Sequence, residues 1–200
     1  MKKKYIVFFV LLAILSTSVF ASFLQIGPTY SVNMPVDFSS QTPIEISKVD
    51  FNKYTLGLDT RFNIGYVVLE GECKAKFTDE LLLNSFDVYT SLGLKVKVFF
   101  LDFIASLGLK TEGTKNEASN WIFNGVENPT FVSLLTKSSI FYKLTTNINM
   151  GKVTLSLNAT LPTTETIETL NEVKERSVVD ALTPQLDKTL VSVGLLFNLF

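Results

Sequence analysis

The chain has 200 residues, of which 46% are apolar and 18% charged, and its 18 basic and 19 acidic residues nearly cancel. This balance, without a basic cluster, argues against a nucleic-acid-binding protein. The sequence contains no histidine and a single cysteine, Cys73, which excludes an internal disulfide, imidazole metal ligands and nucleophile pairs that depend on a histidine base.

The N-terminal residues have the pattern of a secretory signal peptide. Three lysines precede an unbroken apolar run at residues 5–15, and acceptable cleavage-site residues end at Ala21. An uncleaved membrane helix would need about 20 apolar residues. We therefore predict a cleavable signal peptide at residues 1–21 and one mature domain at residues 22–200.

The apolar residues of the mature chain alternate with polar ones instead of forming long runs. Mean hydropathy is +0.30, but the densest apolar stretch, residues 96–109, is interrupted by Lys97, Asp102 and Ser106. A strand that exposes one face to lipid requires this kind of alternation. The pattern therefore favours a barrel wall over a bundle of membrane helices.

The first three predicted strands occupy residues 22–34, 51–64 and 67–77. A long loop at residues 33–50 separates the first two, and a turn near residues 63–65 joins the second to the third. One face of the third strand carries four charged side chains, at Glu70, Glu72, Lys74 and Lys76. Because charges facing lipid are strongly destabilising, this face must point into a lumen or into water.

Two further strands are predicted on either side of a tight reversal near residues 101–102. The fourth strand covers residues 85–100, after a shorter loop at residues 78–84, and the fifth ends near Lys110. A polar stretch at residues 111–129 follows. It contains the only tryptophan, Trp121.

The sixth and seventh strands are predicted at residues 138–149 and 152–161, with a turn between them. The parity of the sixth continues back to Val132, which predicts a strand that projects beyond the membrane. The connection at residues 162–186 has two interpretations. It contains either a short helix, whose apolar face includes residues 167, 170 and 173 and whose capping box pairs Thr169 with Glu172, or a flexible acidic loop.

The last strand is predicted at residues 189–199. Every second residue from Thr189 to Leu199 is apolar or threonine, the opposite face is mixed, and Phe200 ends the sequence. The segment is too short for a membrane helix but long enough to cross a bilayer as a tilted strand.

The eight predicted strands are joined by connections of two kinds. Those after the second, fourth and sixth strands are tight, and the others are longer, so one rim carries short turns and the other long loops. With the terminal phenylalanine, this pattern resembles bacterial outer-membrane β-barrels of the OmpA, OmpX and OmpW type over residues 22–200. The resemblance implies an all-β, eight-stranded antiparallel up-and-down transmembrane barrel with both termini in the periplasm. It also implies contact with outer-membrane lipid and an assembly machinery that recognises Phe200.

The inward parity of these strands predicts a lumen that contains both acidic and basic residues. An eight-stranded barrel is just wide enough for side chains to fill it, so these charges are expected to pair. The candidates for lumen ion pairs are Asp59, Arg61, Glu70, Glu72, Lys74, Lys76, Asp87, Lys95, Lys97, Asp102, Lys143 and Lys152. A carboxylate-only catalytic mechanism is the alternative, with the five acidic residues of this set as its candidates.

The predicted function is non-enzymatic, with no cofactor and no metal. Outer-membrane barrel enzymes of the palmitoyl transferase, phospholipase and omptin types use a catalytic histidine, which this chain lacks. The first hypothesis is a barrel with a filled lumen whose long loops contact an extracellular ligand or host surface, or support envelope integrity. The alternatives are a narrow pore or OmpW-like conduit for small or hydrophobic molecules, and a secreted lipocalin-like barrel with an apolar interior.

Overall fold

The computed structural model of the protein describes residues 23–34, 54–77, 83–116, 119–172 and 182–199. The predicted signal peptide, most of the first long loop and Phe200 lie outside these ranges.

Ten strands occur in the described part of the chain, and eight of them form a closed barrel. They are β1 (Leu24–Asn33), β2 (Tyr54–Ile64), β3 (Val67–Phe77), β4 (Leu83–Val98), β5 (Leu101–Lys115), β6 (Trp121–Phe123), β7 (Val126–Glu127), β8 (Ser139–Met150), β9 (Val153–Thr166) and β10 (Leu190–Asn198). Strands β1 to β5 pair in chain order, β5 pairs with β8, and β8 to β10 continue the ring. All pairings are antiparallel, and β6 and β7 form a small hairpin outside the ring.

The pairing of the first barrel strand with the last closes the sheet. Gln25 lies opposite Asn198, and the register continues to Asn33 opposite Leu190. Closure gives each of the eight barrel strands a hydrogen-bonded neighbour on both sides within the ring. The predicted eight-stranded antiparallel barrel is therefore confirmed.

The two faces of the barrel differ sharply in polarity. Leu92, Leu94 and Leu144 on the outside are each more than half exposed, whereas Arg61 and Lys74 on the inside are fully buried. Alternation along each strand produces this separation, because successive side chains point to opposite faces of a sheet. The arrangement is the reverse of a lipocalin-like barrel with an apolar interior, so that alternative is wrong.

Three two-residue turns form one rim of the barrel. They follow β2, β4 and β8, and their first residues, Gly65, Phe99 and Gly151, all have positive φ, of 62°, 57° and 76°. The prediction of a reversal near residues 101–102 is wrong, since Val98 pairs with Leu101 across a turn at residues 99–100. Phenylalanine seldom adopts positive φ, so the sequence contains no ordinary turn signal there.

A short helix, α1 (Phe131–Thr136), lies in the connection between β7 and β8. The predicted backward extension of the sixth strand through Val132 is therefore wrong. Thr130 is the N-cap residue that precedes the helix, and its hydroxyl accepts a hydrogen bond from the Ser133 backbone N–H at 3.2 Å. This N-cap stabilises the first turn of the helix and overrides the alternating pattern.

A second short helix, α2 (Ile167–Glu172), follows β9 directly. It agrees with the helical interpretation of this connection, but it begins two residues before the predicted cap at Thr169. Thr166 and Thr169 form a reciprocal pair, in which the backbone N–H of each donates to the hydroxyl of the other, at 2.8 and 3.2 Å. Residue 173, which belongs to the predicted apolar face of this helix, lies outside the described residues.

The described part of the chain contains no helix with the length and apolar character of a membrane span.

Replacing Gly65 by alanine should destabilise the barrel by about 1 kcal/mol, because its positive φ is unfavourable for any residue with a Cβ. Gly71 is the matched control. A Cβ at either position meets no atom within 4 Å, but only Gly65 has a positive φ. Equilibrium urea unfolding of the refolded protein measures both variants, and an equal loss in the two would contradict the assignment of the turn.

Candidate functional site

The centre of the lumen contains six charged side chains, which we call the lumen cluster. The members are Asp59, Arg61, Glu70, Glu72, Lys74 and Lys143. Five come from the neighbouring strands β2 and β3, where the antiparallel register places Asp59 opposite Glu72 and Arg61 opposite Glu70. Lys143 comes from β8, which is separated from β3 by β4 and β5 in the ring.

Arg61 connects the two acidic neighbours to the opposite wall. Its Nη2 atom lies 2.6 Å from Asp59 Oδ2 and 3.1 Å from Glu70 Oε1. The same guanidinium donates to Asn147 Oδ1 at 2.9 Å and to Asn158 Oδ1 at 3.1 Å. Because these asparagines belong to β8 and β9, the side chain spans the barrel interior.

Lys143 spans the lumen from the other side. Its Nζ atom donates to Glu70 Oε1 at 2.6 Å and to Glu72 Oε2 at 2.8 Å. All three side chains are almost completely buried. A fully desolvated ammonium group requires such partners, since an unpaired buried charge is very costly.

Lys74 completes the cluster on the side of the long loops. Its Nζ atom lies 3.4 Å from Glu72 Oε1, donates to Ser192 Oγ at 3.1 Å and sits 4.8 Å from the centroid of the Tyr89 ring. The hydroxyl of Thr29 donates to Glu72 Oε1 at 2.8 Å. The cluster thus joins three acids and three bases, so its formal charges cancel.

A second group of charges lies nearer the long-loop rim. Asp87 Oδ2 is 3.0 Å from Lys76 Nζ and 3.4 Å from Lys110 Nζ, and Lys110 also lies 3.5 Å from Glu112. Lys76 and Lys110 keep 39% and 23% of their side-chain surface exposed. This group is therefore hydrated on one side, unlike the lumen cluster.

Neutral polar side chains dominate the end of the lumen near the short turns. Lys95 donates to Asn63 Oδ1 at 3.1 Å, and Gln25 Nε2 donates to Asn198 Oδ1 at 2.8 Å. Asp102 is buried at this end, and the register places it opposite Lys97. The asparagine Asn198 also donates to the Gly151 carbonyl oxygen, which ties the last strand to the β8–β9 turn.

Two predicted lumen residues, Lys97 and Lys152, are exposed. Lys97 has the inward parity but is the penultimate residue of β4, and Lys152 belongs to the turn between β8 and β9. Their side chains therefore leave the enclosed part of the barrel at the rim. The prediction that these two lie among the lumen ion pairs is wrong, because parity alone does not tell where the enclosed lumen ends.

An aromatic pair that the sequence did not single out separates the two charged groups. The rings of Tyr89 and Phe141 meet edge to face, with centroids 5.2 Å apart and planes at 78°. Gly108 lies opposite Phe141 in the register of β5 and β8, and a Cβ at this glycine would lie 2.4 Å from Phe141 Cζ. An inward glycine paired with an inward phenylalanine was the signal that could have revealed this packing.

The carboxylates of the lumen cluster are paired with cationic side chains and have little contact with solvent. Asp59, Glu70 and Glu72 are buried and each lies within 3.5 Å of a cationic nitrogen. Within the described residues, no group of three or more Asp, Glu, Cys or His side chains is arranged to hold a metal ion. The cluster can therefore fill and cross-link the lumen, and it presents no open acid and base pair to a substrate.

No family model and no curated protein matches the sequence. Among solved structures, the chain is similar to Neisserial surface protein A, with 8% identity, a TM-score of 0.46 and coverage of 88% of this chain and 97% of that one. It is also similar to Ail, the attachment invasion locus protein of Yersinia pestis, in a complex with the heparin analogue sucrose octasulfate. That comparison has 11% identity, a TM-score of 0.36 and coverage of 86% and 93%. The fold assignment rests on the strand pairings of the chain itself.

Replacing Lys143 by methionine should destabilise the barrel by about 3 kcal/mol, because Glu70 and Glu72 lose a buried partner. Adding Glu72→Gln should recover part of this loss. The matched control is Lys97→Met, which removes an exposed lysine and should change stability by less than about 0.5 kcal/mol. Denaturant unfolding followed by tryptophan fluorescence measures all three, and equal effects at the two lysines would disprove a supporting role for the lumen cluster.

Proposed function

We propose that this protein is a non-enzymatic integral barrel of the outer membrane whose lumen is closed by the lumen cluster. Its long connections would contact an extracellular ligand or host surface, or contribute to envelope integrity. The observation that supports this most directly is the combination of a closed ring, an apolar exterior and a charge-neutral network of ion pairs across the interior. Removal of residues 1–21 and recognition of Phe200 by the assembly machinery belong to the same proposal.

The exterior supports contact with lipid. Large apolar side chains cover the outward face, and aromatic residues are exposed near both rims, as expected where a barrel crosses the two membrane interfaces. Those near the short-turn rim are Phe23, Phe62, Tyr66, Phe99, Phe100, Phe103 and Phe197, and those nearer the long-loop rim are Tyr30, Tyr54 and Phe77. Tyr30 and Tyr54 stack with centroids 5.4 Å apart.

The asymmetry of the rims supports an orientation with both termini in the periplasm. The first barrel strand begins, and the last one ends, at the rim formed by the three two-residue turns. In outer-membrane barrels the short turns face the periplasm and the longer loops face outward. The hairpin of β6 and β7 and the helix α1 would then lie on the cell surface.

Exposed apolar residues on that side support a role in surface contacts. In α1, Phe131 is 76% exposed and Val132 is 68% exposed. Adjacent apolar side chains on a surface helix frequently mark a site of interaction with another molecule. Their chemistry indicates an apolar component in whatever contacts this rim.

Planar bilayers that contain the refolded wild-type protein should show no discrete channels, because Arg61 and Lys143 cross-link opposite walls of the lumen. The variant Arg61→Ala should introduce openings or unstable current, since it removes the largest fully buried side chain among the described residues. Reproducible wild-type conductance would instead support the narrow pore or conduit and would refute a closed lumen.

Introducing arginine at Leu92 should destabilise the protein in phospholipid vesicles by about 2 to 4 kcal/mol, because the side chain points outward near the middle of its strand. The control is Val98→Arg beside the short turn, where the cost should fall to about 0 to 1 kcal/mol. Urea unfolding from vesicles gives the comparison. Equal costs at the two depths would mean that the exterior does not face a bilayer.

A further inference from the structure

A cavity of about 790 Å³ occupies the long-loop end of the barrel. We call it the vestibule. Each of the eight barrel strands contributes to its wall, through Ser31, Thr55, Lys76, Asp87, Lys110, Ser139, Thr160 and Leu190 in ring strands β1 to β5 and β8 to β10. Its volume lies within the range of about 300 to 1,000 Å³ that is common for small-molecule sites.

The vestibule carries an excess of positive charge. Lys76, Lys110 and Lys188 line it, and Asp87 is the one acidic residue among its lining residues. Asp87 Oδ2 lies 3.0 Å from Lys76 Nζ and 3.4 Å from Lys110 Nζ, and Glu112 Oε2 lies 3.5 Å from Lys110 Nζ, so two carboxylates face three lysines. Among the described residues, no carboxylate lies within ion-pair distance of Lys188, which is exposed. A ligand with a negative group would complete this arrangement.

The remaining wall is rich in hydroxyl and amide groups. Such groups donate and accept hydrogen bonds, and in this pattern they suit a ligand body that carries several hydroxyls. Ser31, Thr160 and Thr163 are buried in this wall, as is the hydroxyl of Thr55. The hydroxyl and amide side chains that keep exposed surface are Asn33, Ser139, Thr164 and Gln185. Pro162 and Leu190 add partly exposed apolar side chains against which the face of a sugar ring can pack, whereas Ile140 and Phe141 are buried.

The vestibule is closed at its inner end. The edge-to-face pair of Tyr89 and Phe141 forms its floor, and the Tyr89 hydroxyl approaches Asp87 Oδ2 at 3.4 Å. Lys74 of the lumen cluster lies beside the same ring. A molecule that enters from the long-loop rim is therefore held at the mouth and has no route through the barrel.

We propose that the vestibule binds a small phosphorylated sugar. Two or three ammonium groups recognise the phosphate, which they contact as point charges, and the hydroxyl and amide groups recognise the sugar. The ligand is a free molecule and not a lipid headgroup, because the ring of strands surrounds the site on all sides. The proposal goes beyond the proposed function and rests on the barrel geometry alone.

Isothermal titration of the refolded mature chain in detergent tests the proposal, with glucose 6-phosphate, glucose and inorganic phosphate as the probes. Glucose 6-phosphate should bind with a Kd below about 1 mM, and glucose should give no measurable binding. Inorganic phosphate should bind at least about tenfold more weakly than the sugar phosphate, because it lacks the sugar hydroxyls that hydrogen-bond to the polar side chains of the wall. Lys110→Gln should weaken binding of glucose 6-phosphate by about tenfold, through the loss of a charge-assisted hydrogen bond.

The matched control is Lys115→Gln, which removes a lysine of the same strand that lies over Trp121, outside the vestibule. Heat-modifiable gel migration verifies that each variant is folded, and Lys188→Gln replaces Lys110→Gln if the latter does not fold. Absence of binding by the wild type, equal binding of glucose or of inorganic phosphate, or an equal loss in the Lys115 control would each overturn the proposal. Because these outcomes do not depend on whether the lumen conducts ions, the titration tests the vestibule separately from the proposed closed lumen.

Discussion

The pairing of β1 with β10 is the constraint on which the rest of the structure depends. Once this pairing closes the sheet, every barrel strand has two neighbours, and the ring itself has no open edge that could bind another chain. Closure also fixes which side chains are enclosed. Because alternate residues of each strand face inward, the same event that exposes Leu92 removes Arg61 and Lys143 from solvent. Charges that lose their hydration in this way must find partners, and the narrow lumen brings those partners within reach.

The lumen is organised in levels along the barrel axis. Neutral amides and hydroxyls occupy the end near the short turns, the lumen cluster fills the centre, and the Tyr89–Phe141 pair covers the cluster on the other side. Beyond this pair lies the vestibule, where Lys76 and Lys110 remain partly hydrated. The order has a physical basis, since only fully paired charges are stable at the centre, whereas an excess of one sign is tolerated where water has access. In our proposals the two levels have different roles, since the centre gives rigidity and the mouth binds a ligand.

The proposed functions follow from this separation. A central network that joins β2, β3, β8 and β9 stabilises the cylinder against collapse and obstructs passage, which suits a surface protein better than a transporter. We therefore assign the proposed recognition to the long-loop rim, where the exposed helix α1 presents Phe131 and Val132 and the vestibule presents lysines. The barrel itself serves as the rigid support that holds these features at the membrane surface.

The alternation of residues by itself determined the number of barrel strands, their antiparallel order and the side of each strand that is polar, because a period of two is a local property of the chain. It also separated the tight turns from the long loops. It did not reveal the β6–β7 hairpin, whose strands are too short for a recognisable alternation. It does not determine where strands end. Alternation therefore predicts Lys97 and Lys152 inside the lumen, a reversal near residues 101–102 and a strand in place of α1, and the structure differs at each of these points. Nor does the alternation determine which charges meet. That Lys143 contacts Glu70 and Glu72, and that Arg61 reaches Asn147, was decided only by the tertiary structure, since the stagger of strands around a closed barrel sets which distant residues share a level.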